Sequence, residues 1–92
     1  MPINTKAVTV GTSEAVQLVA PDNMPQHVWI HDHEHSSNTE LYLGGPDVGT
    51  ATGLHMLPED TIEFELNPGD EIWAISGQGS PKVRVMSVTK VD

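Results

Sequence analysis

The chain has no cysteine, only four basic residues and only four aromatic residues among its 92 amino acids. Without cysteine, no disulfide can stabilise the fold. With few aromatic side chains and a hydrophobic fraction of 37%, the chain can build one small core and no more. We therefore expect a single domain over residues 1–92, with residues 1–6 as an extended N-terminal arm, and added stabilisation from neighbouring subunits.

The four basic residues stand against thirteen acidic ones, which gives a net charge of −9. Such a chain repels nucleic-acid phosphates and anionic lipid, so neither nucleic acid nor a membrane is an expected partner. The N-terminal residues lack the apolar segment of a signal peptide, and no stretch has the length of a transmembrane helix. The chain is therefore expected to be made in a cytoplasm.

Helical periodicity is not sustained anywhere in the sequence, whereas short alternating runs rich in β-branched residues recur between Gly, Pro, Asn and Asp. This pattern predicts an all-β fold, a compact antiparallel β-sandwich or a barrel-like, jelly-roll-type domain. The strands are predicted over residues 7–10, 15–19, 27–33, 39–43, 53–56, 61–66, 71–76 and 82–90. In the strand over residues 61–66, Ile62, Phe64 and Leu66 alternate with glutamates, which indicates one buried face.

Two breaks between the later strands suggest hairpins. In residues 67–70, Pro68 and Gly69 occupy the second and third positions of a tight turn, so a hairpin is expected between the strands that hold Phe64 and Trp73. Residues 77–81 contain two glycines and a proline. They are expected to form a flexible hairpin tip between the last two strands.

The histidine run over residues 31–35 is the one segment that suggests chemistry. Residues two apart share a strand face, so His31, His33 and His35 could present their imidazoles together to a metal. His33, His35 and Glu40 also match the first half of the cupin metal motif, but no histidine follows His55 to complete it.

A turn is expected directly after the run, at residues 36–38, where it would break the histidine face. We therefore expect no cofactor and no metal, with His33, His35 and Glu40 as the alternative ligand set. The histidines could also make a subunit contact sensitive to pH, because their reference pKa lies near 6.5.

Catalytic groups are not indicated elsewhere. No cysteine is available as a nucleophile, and no serine lies in a strand-to-helix elbow. The chain is therefore expected not to be an enzyme, and its large aromatic side chains are better read as contacts for a partner. Trp29 and Trp73 both fall out of phase with the aliphatic residues of their strands, so they are interface candidates, together with Tyr42 and His31.

A series of short motifs gives the sequence a family likeness over residues 8–88. In order, these are residues 8–12 (VTVGT), 18–20 (LVA), 27–31 (HVWIH), 41–48 (LYLGGPDV), 53–58 (GLHMLP), 70–76 (DEIWAIS) and 83–85 (VRV). In this order and spacing they resemble small β-domain structural proteins of tailed bacteriophages. The histidine run replaces the plain polar turn that such proteins have after the third strand.

The resemblance implies a non-enzymatic virion protein, made in the host cytoplasm and then built into the particle. The small size and acidity favour a capsid decoration, or cement, protein that binds the major capsid protein, with a homotrimer as the expected oligomer. The alternatives are a protein of the tail or fibre and, from another class, a minimal cupin-like metal-binding protein that uses residues 31–35.

Overall fold

The computed structural model describes residues 3–34 and 38–90, and these residues form eight β-strands. The strands are β1 (Ile3–Thr9), β2 (Val16–Val19), β3 (Gln26–Asp32), β4 (Glu40–Gly44), β5 (Leu54–Met56), β6 (Thr61–Leu66), β7 (Ile72–Gln78) and β8 (Lys82–Thr89). Within the described residues, no helix is long and apolar enough to cross a membrane.

The strands form two antiparallel sheets of four strands each. The first sheet has the order β1-β8-β3-β6, and the second has the order β2-β7-β4-β5. The alternating residues point into the space between the sheets and form an aliphatic core. Its largest fully buried side chains include Leu18, Ile30 and Leu41. The predicted all-β fold is thus confirmed as a β-sandwich.

The turn at residues 67–70 forms as predicted, but the hairpin across it was wrong. The Asp70 amide donates to the Asn67 carbonyl at 3.0 Å, and Gly69 takes a φ of +88°, which glycine adopts without steric cost. The strands on either side belong to different sheets, β6 to the first and β7 to the second. The turn therefore carries the chain across the sandwich, because each of these strands finds its partners elsewhere.

The expected flexible hairpin tip at residues 77–81 was also wrong. It joins β7 of the second sheet to β8 of the first, so it is a second crossing. The buried Ser76 hydroxyl lies 2.8 Å from both the Gln78 and the Gly79 carbonyl oxygens, and Pro81 is fully buried. These contacts tie the segment down at both ends.

The N-terminal arm expected over residues 1–6 is wrong for the residues that the structure describes. β1 begins at Ile3 and pairs with β8 along its whole length, from Ile3 opposite Val88 to Thr9 opposite Lys82. Backbone pairing with a distant strand holds these residues, although Lys6 and its polar neighbours gave little strand signal. Residues 1 and 2 lie outside the described part of the chain.

The close approach of residue 53 to the second sheet gives a first prediction. A Cβ on Gly53 would lie 2.7 Å from the Tyr42 Cβ and 2.9 Å from the Val48 Cγ2. Gly53→Ala is therefore expected to lower the free energy of unfolding by about 1–3 kcal/mol, as measured by urea denaturation. Gly11→Ala is the control, because a Cβ at Gly11 meets nothing within 4 Å. Equal losses in both variants would contradict the packing argument.

Candidate functional site: the outer face of the first sheet

Strand β3 presents two chemically different faces. Gln26, Val28, Ile30 and Asp32 are buried between the sheets, while His27, Trp29 and His31 are half-buried on the opposite, outer side. Because β3 lies between β8 and β6, its outward residues sit in the middle of a wide surface. The sequence prediction that Trp29 points away from the core aliphatics is therefore confirmed.

The strand registers bring apolar residues from three strands together on this outer face. Trp29 lies opposite Met86, and Met86 lies opposite Thr5; one step along the strands, Val88 lies between Ile3 and His27. Ile3 is 63% exposed and Met86 is 36% exposed. We call Ile3, Trp29, Met86 and Val88 the apolar band.

Charged groups border the apolar band on the β6 side. The His27 Nδ1 lies 2.6 Å from a Glu65 oxygen, and the His27 Nε2 also contacts Glu63. Lys90 donates to both Glu65 oxygens, at 2.8 and 2.9 Å. The bonds from Lys90 and then from His27 lower the pKa of Glu65. This rim thus places the Lys90–Glu65 ion pair and His27 beside Trp29, whose ring centroid lies 4.3 Å from that of His27.

The end of β3 carries the histidine run and a buried carboxyl. The His31 Nδ1 lies 2.8 Å from the Thr61 hydroxyl, and the His31 and His33 ring centroids are 5.8 Å apart. Asp32 is 1% exposed, and its Oδ1 has no hydrogen-bond partner among the described residues. Burial, then the negative charge of Glu34, raises the pKa of Asp32 to about 6.

The alternative metal ligands are distributed over two sheets. His33 follows β3 of the first sheet, and Glu40 begins β4 of the second, where it accepts a hydrogen bond from the Tyr42 hydroxyl at 3.1 Å. Over residues 3–34 and 38–90, no group of three or more potential ligands is placed to hold a metal ion. His35 lies outside the described residues, so the set that includes it stays a prediction.

The other two interface candidates, Trp73 and Tyr42, lie on the outer face of the second sheet. The polar atom of each has a partner within the chain: the Trp73 indole donates to Glu71, and the Tyr42 hydroxyl donates to Glu40. The Tyr42 ring also stacks on His55 at 4.9 Å. Burial and the Glu40 carboxylate raise the pKa of Tyr42. The four candidates therefore divide between opposite faces of the sandwich.

Sequence reasoning missed Ile3, Met86 and Arg84. The structure places Met86 beside Trp29, Arg84 beside His31 and Ile3 beside Val88. Ile3 fell in the presumed arm, and the other two are outward-facing residues of a strand that was interpreted only for its buried valines. The pairing of β8 with both β1 and β3 brings them together. No local pattern encodes a contact between residues more than 50 positions apart.

Comparisons with known proteins bear on the fold. No family model and no curated protein matches the sequence. The chain is similar to a protein of Bacillus endospore appendages, which form a family of disulfide-linked pili, with a TM-score of 0.51 and 11% identity over 97% of this chain and 89% of that one. It is also similar to PliG of Aeromonas hydrophila, a periplasmic inhibitor of g-type lysozyme, with a TM-score of 0.47 and 14% identity over 94% of this chain and 83% of that one. The likeness to the appendage protein shows a shared β-sandwich fold.

Proposed function

We propose that the chain is a non-enzymatic structural protein of a tailed-phage particle, which decorates the capsid by docking the outer face of its first sheet on the major capsid protein. The apolar band is the observation that supports this choice of docking surface. Ile3 and Met86 remain exposed although the aliphatic core is complete without them. An apolar surface with a charged rim is typical of a protein interface.

The position of Trp29 at the centre of this face supports the choice of surface. Energetic anchors of protein interfaces are enriched in tryptophan and lie near the middle of the buried patch. Trp73 is the same residue type on the opposite face, but its indole nitrogen already donates to Glu71. We therefore assign capsid contact to the Trp29 face, and we leave the proposed homotrimer without an assigned contact face.

The virion location rests on the order and spacing of the phage-like motifs, since the appendage protein shares only the fold. The acidity of the chain fits a role on the outside of a shell, away from packaged nucleic acid. Decoration by many copies also lets a weak single contact stabilise the shell, because the lattice presents many equivalent sites.

The test is co-sedimentation of the purified chain with shells of the major capsid protein encoded in the same genome. The natural chain is expected to sediment with the shells. Trp29→Ala should weaken binding by at least about thirtyfold, because loss of a central aromatic anchor costs about 2 kcal/mol or more. Trp73→Ala is the matched control, which should bind the shells as the natural chain does.

Circular dichroism must first show that both tryptophan variants are folded. Localisation of the chain in intact particles by electron microscopy completes the test. If the chain is found on the tails alone, the capsid assignment is wrong and the chain is a tail or fibre protein. Loss of shell binding in Trp73→Ala but not in Trp29→Ala would show that the docking face is the wrong one.

A further inference from the structure

A depression of about 400 Å³ lies on the outer face of the first sheet, between β1, β8 and β3. The side chains of Thr5, Trp29, His31, Arg84 and Met86 line it from the outer face, whereas Lys6 lies opposite the buried Val85 and so directs its side chain to the other side of the sheet. We call it the cationic depression, because Arg84 lines it and none of its described lining residues is acidic. In a chain with thirteen acidic residues, this is a marked local reversal of charge.

The cation at the cationic depression is not used by the fold. Lys90 pairs with Glu65, but within residues 3–34 and 38–90 Arg84 forms no ion pair. Arg84 is exposed on the central strand β8, opposite Ala7 on one side and His31 on the other. Its guanidinium is a planar fork of donors that matches a carboxylate, and it is available to a ligand.

Trp29 and Met86 add an apolar wall to the same depression. The Trp29 ring contacts His27, with a centroid distance of 4.3 Å. Met86 is the cross-strand partner of Trp29, and both residues line the depression. A ligand that fits this site therefore carries a negative charge beside an apolar group. An extended peptide with an acidic residue two positions from an aliphatic one has this chemistry, because residues two apart lie on the same face.

We infer that the cationic depression binds an extended acidic segment of the docking partner, with an aspartate or glutamate carboxylate on Arg84 and an aliphatic side chain two residues away on Trp29 and Met86. This inference rests on the proposed function, because it specifies what the docking face contacts. An acidic sugar fits less well. Its hydroxyl groups need acceptors, and the lining side chains offer few besides the Thr5 hydroxyl and the His31 ring.

The test is an NMR titration of the purified chain with a blocked peptide of the repeat Glu-Ser-Leu-Ser, which places glutamate and leucine on one face of an extended chain, and with the same peptide containing glutamine for glutamate. The glutamate peptide is expected to shift the Trp29 indole and the amide signals of Thr5 and Arg84, more strongly at low salt. The glutamine peptide should not. Arg84→Gln is expected to weaken binding by about tenfold or more, as for the loss of a charge-assisted hydrogen bond.

Lys82→Gln is the matched control, since Lys82 is exposed on the same strand but does not line the depression. It loses the same charge and is expected to bind within about twofold of the natural chain, as is usual for an unpaired surface charge. Equal binding of the two peptides, equal loss in both variants, or shifts with oligogalacturonate but not with the glutamate peptide would overturn the inference.

The same variants separate this inference from the proposed function. If shells bind Arg84→Gln as tightly as the natural chain but bind Trp29→Ala weakly, the acidic-segment inference is wrong and the capsid function stands. If shells do not bind the natural chain, the capsid function is wrong, and the peptide titration still decides whether the depression takes an acidic segment.

Discussion

Leu41→Ala is expected to lower the free energy of unfolding by about 2–5 kcal/mol, because the substitution leaves a cavity in a core that cannot fully collapse. Leu41 is 0% exposed in β4 and lies opposite Met56 on one neighbouring strand and Ser76 on the other. A domain of this size has about 5–15 kcal/mol of net stability. The variant should therefore unfold at a much lower urea concentration than the natural chain.

The control for Leu41→Ala removes the same atoms from the surface. Leu57 is 58% exposed, so Leu57→Ala should change the unfolding free energy by no more than about 0.5 kcal/mol. Should Leu41→Ala prove too unstable to purify, Leu41→Met conserves volume and is expected to cost less than about 1.5 kcal/mol. Comparable losses at Leu41 and Leu57 would show that the sandwich core is not the source of stability.

The strand positions could be predicted because alternation is a local property. Ile62, Phe64 and Leu66 point inward from β6 as predicted, and Val83 and Val85 are buried in β8. A period of two follows from the geometry of any extended strand whose one face meets a core. The all-β class and the strands, apart from the first half of β1, therefore follow from residue types, whereas the choice between a sandwich and a barrel does not.

The assignment of strands to sheets could not be predicted in this way. Residues 67–70 have the composition of a tight turn, and the turn forms. Such a turn can connect two paired strands of one sheet or two strands of different sheets. The difference depends on which distant strands compete for each edge. β8 pairs with β1 and β3, and β7 pairs with β2 and β4, so neither is available to its neighbour in sequence.

The candidate site was predictable only in part, because strand alternation is local and the register between strands is not. The phase of Trp29 against Val28 and Ile30 indicates an outward side chain, and this needs only the sequence of one strand. The apolar band and the cationic depression need the register between β1, β8 and β3, which sets Met86 beside Trp29 and Arg84 beside His31. This register is a property of the folded molecule, and it determines the chemistry of the face.

The buried carboxyl of Asp32 was not distinguished in sequence from the other acidic residues of the run. Alternation along β3 places it on the inner face with Val28 and Ile30, and the structure leaves it 1% exposed. Burial and the charges of Glu34 and Asp60 raise its pKa to about 6, while His31 acts in the opposite direction. Asp32 therefore opposes folding when it is ionised.

Asp32→Asn is expected to stabilise the protein at pH 8 and to give little or no gain at pH 4. A carboxyl whose pKa is 3.8 when unfolded and about 6 when folded binds more protons in the folded state between these values. The contribution of this carboxyl to the free energy of unfolding is therefore greatest below pH 4, and it is lost as the pH rises through 6. The loss is about 3 kcal/mol at most, since one pKa unit corresponds to about 1.4 kcal/mol.

The measurement that isolates this group is the difference in unfolding free energy between Asp32→Asn and the natural chain at each pH. That difference should grow by about 2–3 kcal/mol from pH 4 to pH 8. A fixed cost of burying the amide displaces the whole curve without changing its slope. The exposed Glu14→Gln variant should give a nearly flat difference. A flat curve for Asp32→Asn as well would mean that the Asp32 carboxylate is solvated or paired in the folded protein, and the argument from burial would then fail.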